Sequence, residues 1–149
     1  MDAGLGGACR ALVQRRAAEA LERLYAERLP EIAGRLTQHY REAGAAERAA
    51  TYAERAADRA LALAAPVEAA HFYEQALALE PAPSRYHRLG LTRYRQADLA
   101  GAKLAFEAAL RGCEQLGDRR SAARICLELA RIDFAGSQSE EVVHGVQQG

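Results

Sequence analysis

The chain contains no tryptophan, and its 149 residues include only six Tyr and three Phe. Val and Ile are sparse, whereas Ala, Arg and Glu are abundant. That balance disfavours sheet and favours helix. Cysteine is limited to Cys9, Cys113 and Cys126, an odd and widely spaced set. Such a set argues against a disulfide framework and a cysteine zinc site, and it suits reduced, buried thiols in a cytoplasmic protein. Charge of one sign is not in excess: 20 Lys and Arg balance 20 Asp and Glu. The net charge therefore points to neither nucleic acid nor membrane. No apolar run approaches the ~20 residues of a membrane span. The start M-D-A-G-L-G-G-A-C-R lacks the basic-then-apolar order of a signal peptide.

What is present is helical periodicity. The length suffices for one domain with a core. Residues 9–29 place Leu12, Ala17, Ala20, Leu21, Leu24 and Tyr25 near one face, with Arg15, Arg16, Glu19, Glu22 and Arg23 mostly away from it. Pro30 ends this helix or opens the next. Further helices are predicted over about 31–43, with Gly44 as its cap, then 46–64 and 66–79, with Pro66 in the first turn. P-A-P-S at 81–84 is a connection in which Ser84 is placed to cap a helix over 85–96. Asp98 is placed to cap a sixth over 99–115. Gly117 and Asp118 break the pattern before a seventh over 119–134. G-S-Q-S then interrupts, leaving a weak last helix or frayed tail. The predicted fold class is all-α, with about seven helices plus a weak C-terminal one. It divides into a lead-in over 1–29, helical repeats over 30–134 and a tail over 135–149. Helices of this length with short joins make antiparallel neighbours.

The stretch A-A-H-F-Y-E-Q-A-L-A-L-E-P carries a spacing. Ala69, Tyr73 and Ala76 precede Pro81, and Ala102, Phe106 and Ala109 repeat the first three after 33 residues. Such a period signals stacked helical hairpins. Alanine at a crossing lets backbones approach. The ring four residues on fills the hole beside the neighbouring hairpin, and proline stops the helix so that the chain can reverse.

On these residues the chain resembles the tetratricopeptide repeat (TPR) family. Its best unit has Tyr86 in the first aromatic place, Leu89-Gly90 as the Leu-Gly pair, Ala102 as the alanine and Phe106 as the second aromatic. Arg93 stands where Tyr is usual, beside Tyr94, and the terminal Pro is missing. An earlier unit has Leu36 and Tyr40, with Thr37 replacing Gly, then Ala49, Tyr52 one place early and Ala56. Ala49 and Ala69 are only 20 residues apart. Either the long third helix serves two hairpins or one unit is degenerate. A last unit starts at Leu129-Ala130 and Phe134. The resemblance covers roughly residues 31–134 and implies a right-handed superhelical stack of hairpins.

A wider likeness lies in R-R-A-A-E-A-L-E-R-L-Y, L-P-E-I-A-G-R-L-T-Q-H-Y-R-E-A-G and E-Q-L-G-D-R-R-S-A-A-R. These segments resemble the helical region of large bacterial signalling ATPases, which often lies beside a cyclase or a LuxR-type DNA-binding domain. That likeness implies a sensor or autoinhibitory arm. No G-x-x-x-x-G-K-[ST] phosphate loop is present in the sequence, so ATP hydrolysis is not carried over.

No catalytic or metal-binding constellation emerges, and no cofactor is expected. His39, His71, His87 and His144 fall on different predicted helices, none in an H-x-x-x-H pair. Ser84, Ser121, Ser137 and Ser139 lack a nucleophile-elbow setting. Charge is nevertheless uneven. Residues 84–131 hold ten Lys and Arg against five Asp and Glu, while 132–149 hold three acids and no Lys or Arg. The basic excess is too modest to point to RNA despite its Arg–Tyr interleaving.

In the TPR family the first helix of each hairpin lines a concave groove. The resemblance thus implies a partner groove made by His87, Arg88, Leu91, Tyr94 and Arg95, with Arg124, Leu127 and Arg131 from the last unit. Arginine forks and tyrosines suit a protein or peptide bearing carboxylates or phosphates. The alternative is a solvated arginine face. The Lys and Asn of the chaperone-tail-binding subgroup are absent from their places, which His87 and Leu91 fill. The expected role is a non-catalytic interaction scaffold. Its incomplete last hairpin predicts a homodimer through the C-terminal end or marginal stability.

Overall fold

A computed structural model describes residues 2–147. Within that range the chain is all-helical. The elements are α1 (Asp2–Leu24), a 3₁₀ turn (Ala26–Arg28), α2 (Leu29–Glu42), α3 (Ala46–Ala62), α4 (Pro66–Leu79), α5 (Pro83–Arg95), α6 (Leu99–Leu116) and α7 (Arg119–Gln147). They form two compact units, Met1–Pro81 and Ala82–Gly149. No described helix is long and apolar enough to cross a membrane.

The turns explain why neighbouring helices reverse so tightly. Gly44, Ala64, Ala97 and Gly117 all take left-handed backbone angles, with φ between 56° and 71°. Each is followed by an N–H that reaches back five residues: Ala45 to Tyr40, Ala65 to Ala60, Asp98 to Arg93 and Asp118 to Cys113. This is the Schellman closure, repeated four times. Asp98 caps α6 by accepting from Gly101 N–H at 2.9 Å. Asp118 accepts from Ser121 N–H at 3.1 Å at the head of α7. Proline stands in the first turn of α2, α4 and α5, where a fixed φ is preorganised for helix. Glu80, ahead of Pro81, is extended and ends α4.

In the first unit α3 packs against both α2 and α4. One helix thus serves two hairpins, and this accounts for the short interval between Ala49 and Ala69. The core joins Ala18 of α1 to Ile32, Ala33, Leu36 and Tyr40 of α2 and to Ala49, Tyr52 and Ala56 of α3. Thr37, in the usual glycine place, is buried, and its hydroxyl donates to Ala33 O at 2.9 Å. Ala69, Tyr73 and Ala76 of α4 are buried, and Tyr73 donates its hydroxyl proton to Asp58 of α3 at 2.6 Å. Glu22 ties α1 down: one carboxylate oxygen accepts from Tyr40 at 2.6 Å and from Tyr52 at 2.8 Å. The two tyrosine rings stack with centroids 5.7 Å apart, and Arg48 and Arg55 each lie over one of them.

In the second unit α6 packs against α5 and α7. Ala102, Phe106, Ala109 and Cys113 of α6 meet Ile125 and Ile132 of α7, with Tyr86, Tyr94 and Leu129 beside them. Leu89 and Gly90 are buried on α5. A methyl group at Gly90 would stand 2.6 Å from the Phe106 ring, so glycine is what allows this crossing.

Four local expectations need correction. Of the three cysteines, Cys113 is buried as expected, but Cys9 and Cys126 are exposed. Helix α1 begins well before residue 9, running through exposed Gly4, Gly6 and Gly7. Each glycine costs about 1 kcal/mol, but extending an existing helix gains a hydrogen bond per residue. Ser84 does not cap α5; the N-cap is Ala82, and Pro83 opens the helix. G-S-Q-S does not interrupt the chain, and α7 continues without a break to Gln147. Ser137 and Ser139 turn their hydroxyls back to Phe134 O at 2.8 Å and Ala135 O at 3.1 Å, which absorbs them into the helix.

Candidate functional site

The residues singled out on α5 and α7 come together as two aligned stripes. Both helices pack on α6, and α5 runs antiparallel to it, with Pro83 against Gly112, Gly90 against Phe106 and Arg93 donating to Gly101 O. Arg131 of α7 lies over the Tyr94 ring of α5 with its guanidinium carbon 5.7 Å from the centroid. Seven residues earlier on each helix, His87 and Arg124 line one cavity. Two such contacts, in the same order along both helices, mean that α5 and α7 run parallel.

The outward residues repeat as well. Arg88, Leu91 and Arg95 are exposed on α5; Arg124, Leu127 and Arg131 are exposed on α7. Both triplets have the spacing Arg-x-x-Leu-x-x-x-Arg, which sets the three side chains on one helical face. Leu127 is 67 % exposed and Leu91 36 %, so each leucine is offered to solvent between two cations. The recurrence was present in the sequence, but only the parallel alignment of the helices makes it a surface.

The remaining two residues hold the stripes in place. Tyr94 is half-buried against the α6–α7 core. His87 is half-buried, its ring 5.7 Å from that of Phe106. Burial pushes the His87 imidazole below its ordinary value; Arg124 and Arg88 act in the same direction and Glu128 opposes them. An acid enters this face, where Glu128 pairs with Arg131 at 3.0 Å. That pair is largely solvated and contributes little to stability. Midway along α7, Lys103 of α6 meets Asp133 at 2.8 Å, and Glu140 to Val146 are exposed.

Sequence reasoning did not find the cavity of about 330 Å³ at the head of the α5 and α7 stripes. Its walls come from both helix starts and from the end of α6, and no local pattern connects them. Among the described residues, no cluster of three or more His, Cys, Asp or Glu is arranged to hold a metal ion.

No family model matches the chain. No curated protein matches it either.

Proposed function

We propose that the chain is a TPR-like interaction module that binds a protein or peptide partner along the α5–α7 face, without catalysing a reaction. The observation that carries this reading is the duplicated, exposed Arg–Leu–Arg stripe on two parallel helices. A solvated face has no need of leucine between its charges, and none of two copies in register. Two leucines ringed by four guanidinium groups are complementary to a segment with apolar residues flanked by carboxylates. Apolar contact would supply much of the affinity, and the arginine forks would set orientation and association rate. In the light of the wider resemblance, the partner is either a separate bacterial signalling protein or another part of the same regulator.

Selection from a random displayed-peptide library tests this reading. The expected outcome is a consensus with acidic residues on both sides of a Leu, Ile or Phe. Recovery of basic or featureless peptides would contradict it.

A further inference from the structure

We propose that α7 pairs antiparallel with α7 of a second copy of this chain, so that the acidic, apolar C-terminal half of each helix covers the basic stripe of the other. The pairing rests on the reading of that stripe as an interaction surface, and it names the occupant. Both sides of the complement lie on one helix.

Leu127, Phe134, Val142 and Val146 are each between 66 % and 77 % exposed. At about 3.6 residues per turn they fall within about one third of the circumference of α7, over a length of roughly 28 Å. Ile125 and Ile132 serve the core with α6 instead. Large apolar side chains aligned on one exposed face mark an interaction surface. The far part of the helix has little else to hold it. Glu140 to Val146 are exposed, and valine and glycine are weak helix formers. A covering helix supplies the packing that such a segment lacks.

Charge selects the partner and the direction. Residues 119–131 hold four Arg against Glu128, whereas 132–149 hold Asp133, Glu140 and Glu141 and no Lys or Arg. A parallel pair of such helices sets like charges side by side, which is penalised; an antiparallel pair sets opposite charges together. A register centred near residue 136 places Arg131 opposite Glu141 of the second copy. It sets Leu127 between Val142 and Val146 of the second copy, with the two Phe134 rings on either side of the two-fold axis. Arg131 keeps its largely solvated pair with Glu128, since a guanidinium fork has donors for both carboxylates. The same patch is used by both copies, so the contact closes at a dimer.

The test is sedimentation equilibrium of the full chain over a range of concentrations. A dimer with a dissociation constant of about 1–100 μM is expected. Phe134→Glu, at an exposed position, should weaken it at least about tenfold with helix content unchanged. Arg131→Glu alone and Glu141→Arg alone should each weaken it by a similar factor. An equimolar mixture of these two variants should regain wild-type association, because each chain then meets opposite charge at both ends of the pair. Damage confined to either variant's own fold gives no such rescue. A chain that stays monomeric up to about 1 mM would overturn the pairing. If that monomer still binds a selected acidic–apolar peptide, the interaction-surface reading stands; if it binds none, that reading falls as well. A dimer indifferent to F134E, or a mixture no tighter than its components, would assign association to another surface and equally overturn the α7 pair.

Discussion

Gly90 of α5 lies so close to the Phe106 ring of α6 that a single methyl group would fall 2.6 Å from one ring carbon and 2.7 Å from its neighbour. Phe106 is fully buried, with Ala102 and Ala109 on the same helix also fully buried. The ring therefore has no open side into which to retreat. Gly90→Ala gains about 1 kcal/mol of helix propensity but overpacks the crossing at a cost of about 1–3 kcal/mol. The crossing is expected to win. Denaturant titration should show the variant less stable, by up to about 2 kcal/mol; a stabilised variant would show that the helices separate freely.

The turns give the opposite sign. Ala64 and Ala97 hold left-handed angles, with φ of 56° and 61°, at places equivalent to Gly44 and Gly117. That conformation costs a residue with a Cβ roughly 1–2 kcal/mol, whereas glycine adds about 0.4–1 kcal/mol of unfolded-state freedom. Ala64→Gly and Ala97→Gly should each raise the unfolding midpoint, with a stability gain of up to about 1.6 kcal/mol. Both side chains are exposed, so no packing is lost. A lower midpoint in both variants would contradict the strain argument.

These four turns also show what was legible in the sequence. Gly44 and Gly117 announce their turns, because glycine is the residue expected at a positive φ. Ala64 and Ala97 do not, since alanine otherwise signals helix. The helices themselves, and the Ala–ring–Ala spacing of α4 and α6, were readable from periodicity and small-residue placement. G-S-Q-S was misread because serine hydroxyls can bond within a helix as readily as they end one. Glu22 looked like a solvated charge: it lies off the apolar face of α1, and only the lengths of Tyr40 and Tyr52 bring two hydroxyls to it. The cavity was illegible because its walls come from three helices.

The Glu22 cluster predicts an alkaline transition. Burial, followed by the hydrogen bond to the Glu22 carboxylate, pushes Tyr52 up to about 12 and Tyr40 further in the same direction. Folding thus favours the protonated phenols. Their contribution is complete below the ordinary tyrosine value near 10, and it is lost as pH rises from there through about 12. Tyrosinate absorbance should show Tyr40 and Tyr52 titrating late and together with unfolding. In Glu22→Gln that late step should move to lower pH, because the hydrogen-bonded carboxylate is gone. A single early transition for all six would contradict the cluster.

The stripes predict a salt-dependent association. Once a peptide has been selected, doubling the Debye length by lowering salt should speed its association, with a smaller effect on dissociation. Leu91→Ser and Leu127→Ser should act mainly on dissociation. An association rate insensitive to salt would remove the arginines from the encounter.

The most direct test of the central claim is the affinity of one selected acidic–apolar peptide for the wild-type chain and for two quadruple variants. The first changes Arg88, Arg95, Arg124 and Arg131 to Glu. The second reverses four exposed arginines away from these stripes: Arg10, Arg16, Arg41 and Arg111. The account predicts at least about a hundredfold loss, or ~2.8 kcal/mol, in the first variant and little change in the second, with helix content preserved in both. Equal losses in the two variants, or none in the first, would mean that α5 and α7 carry no recognition surface.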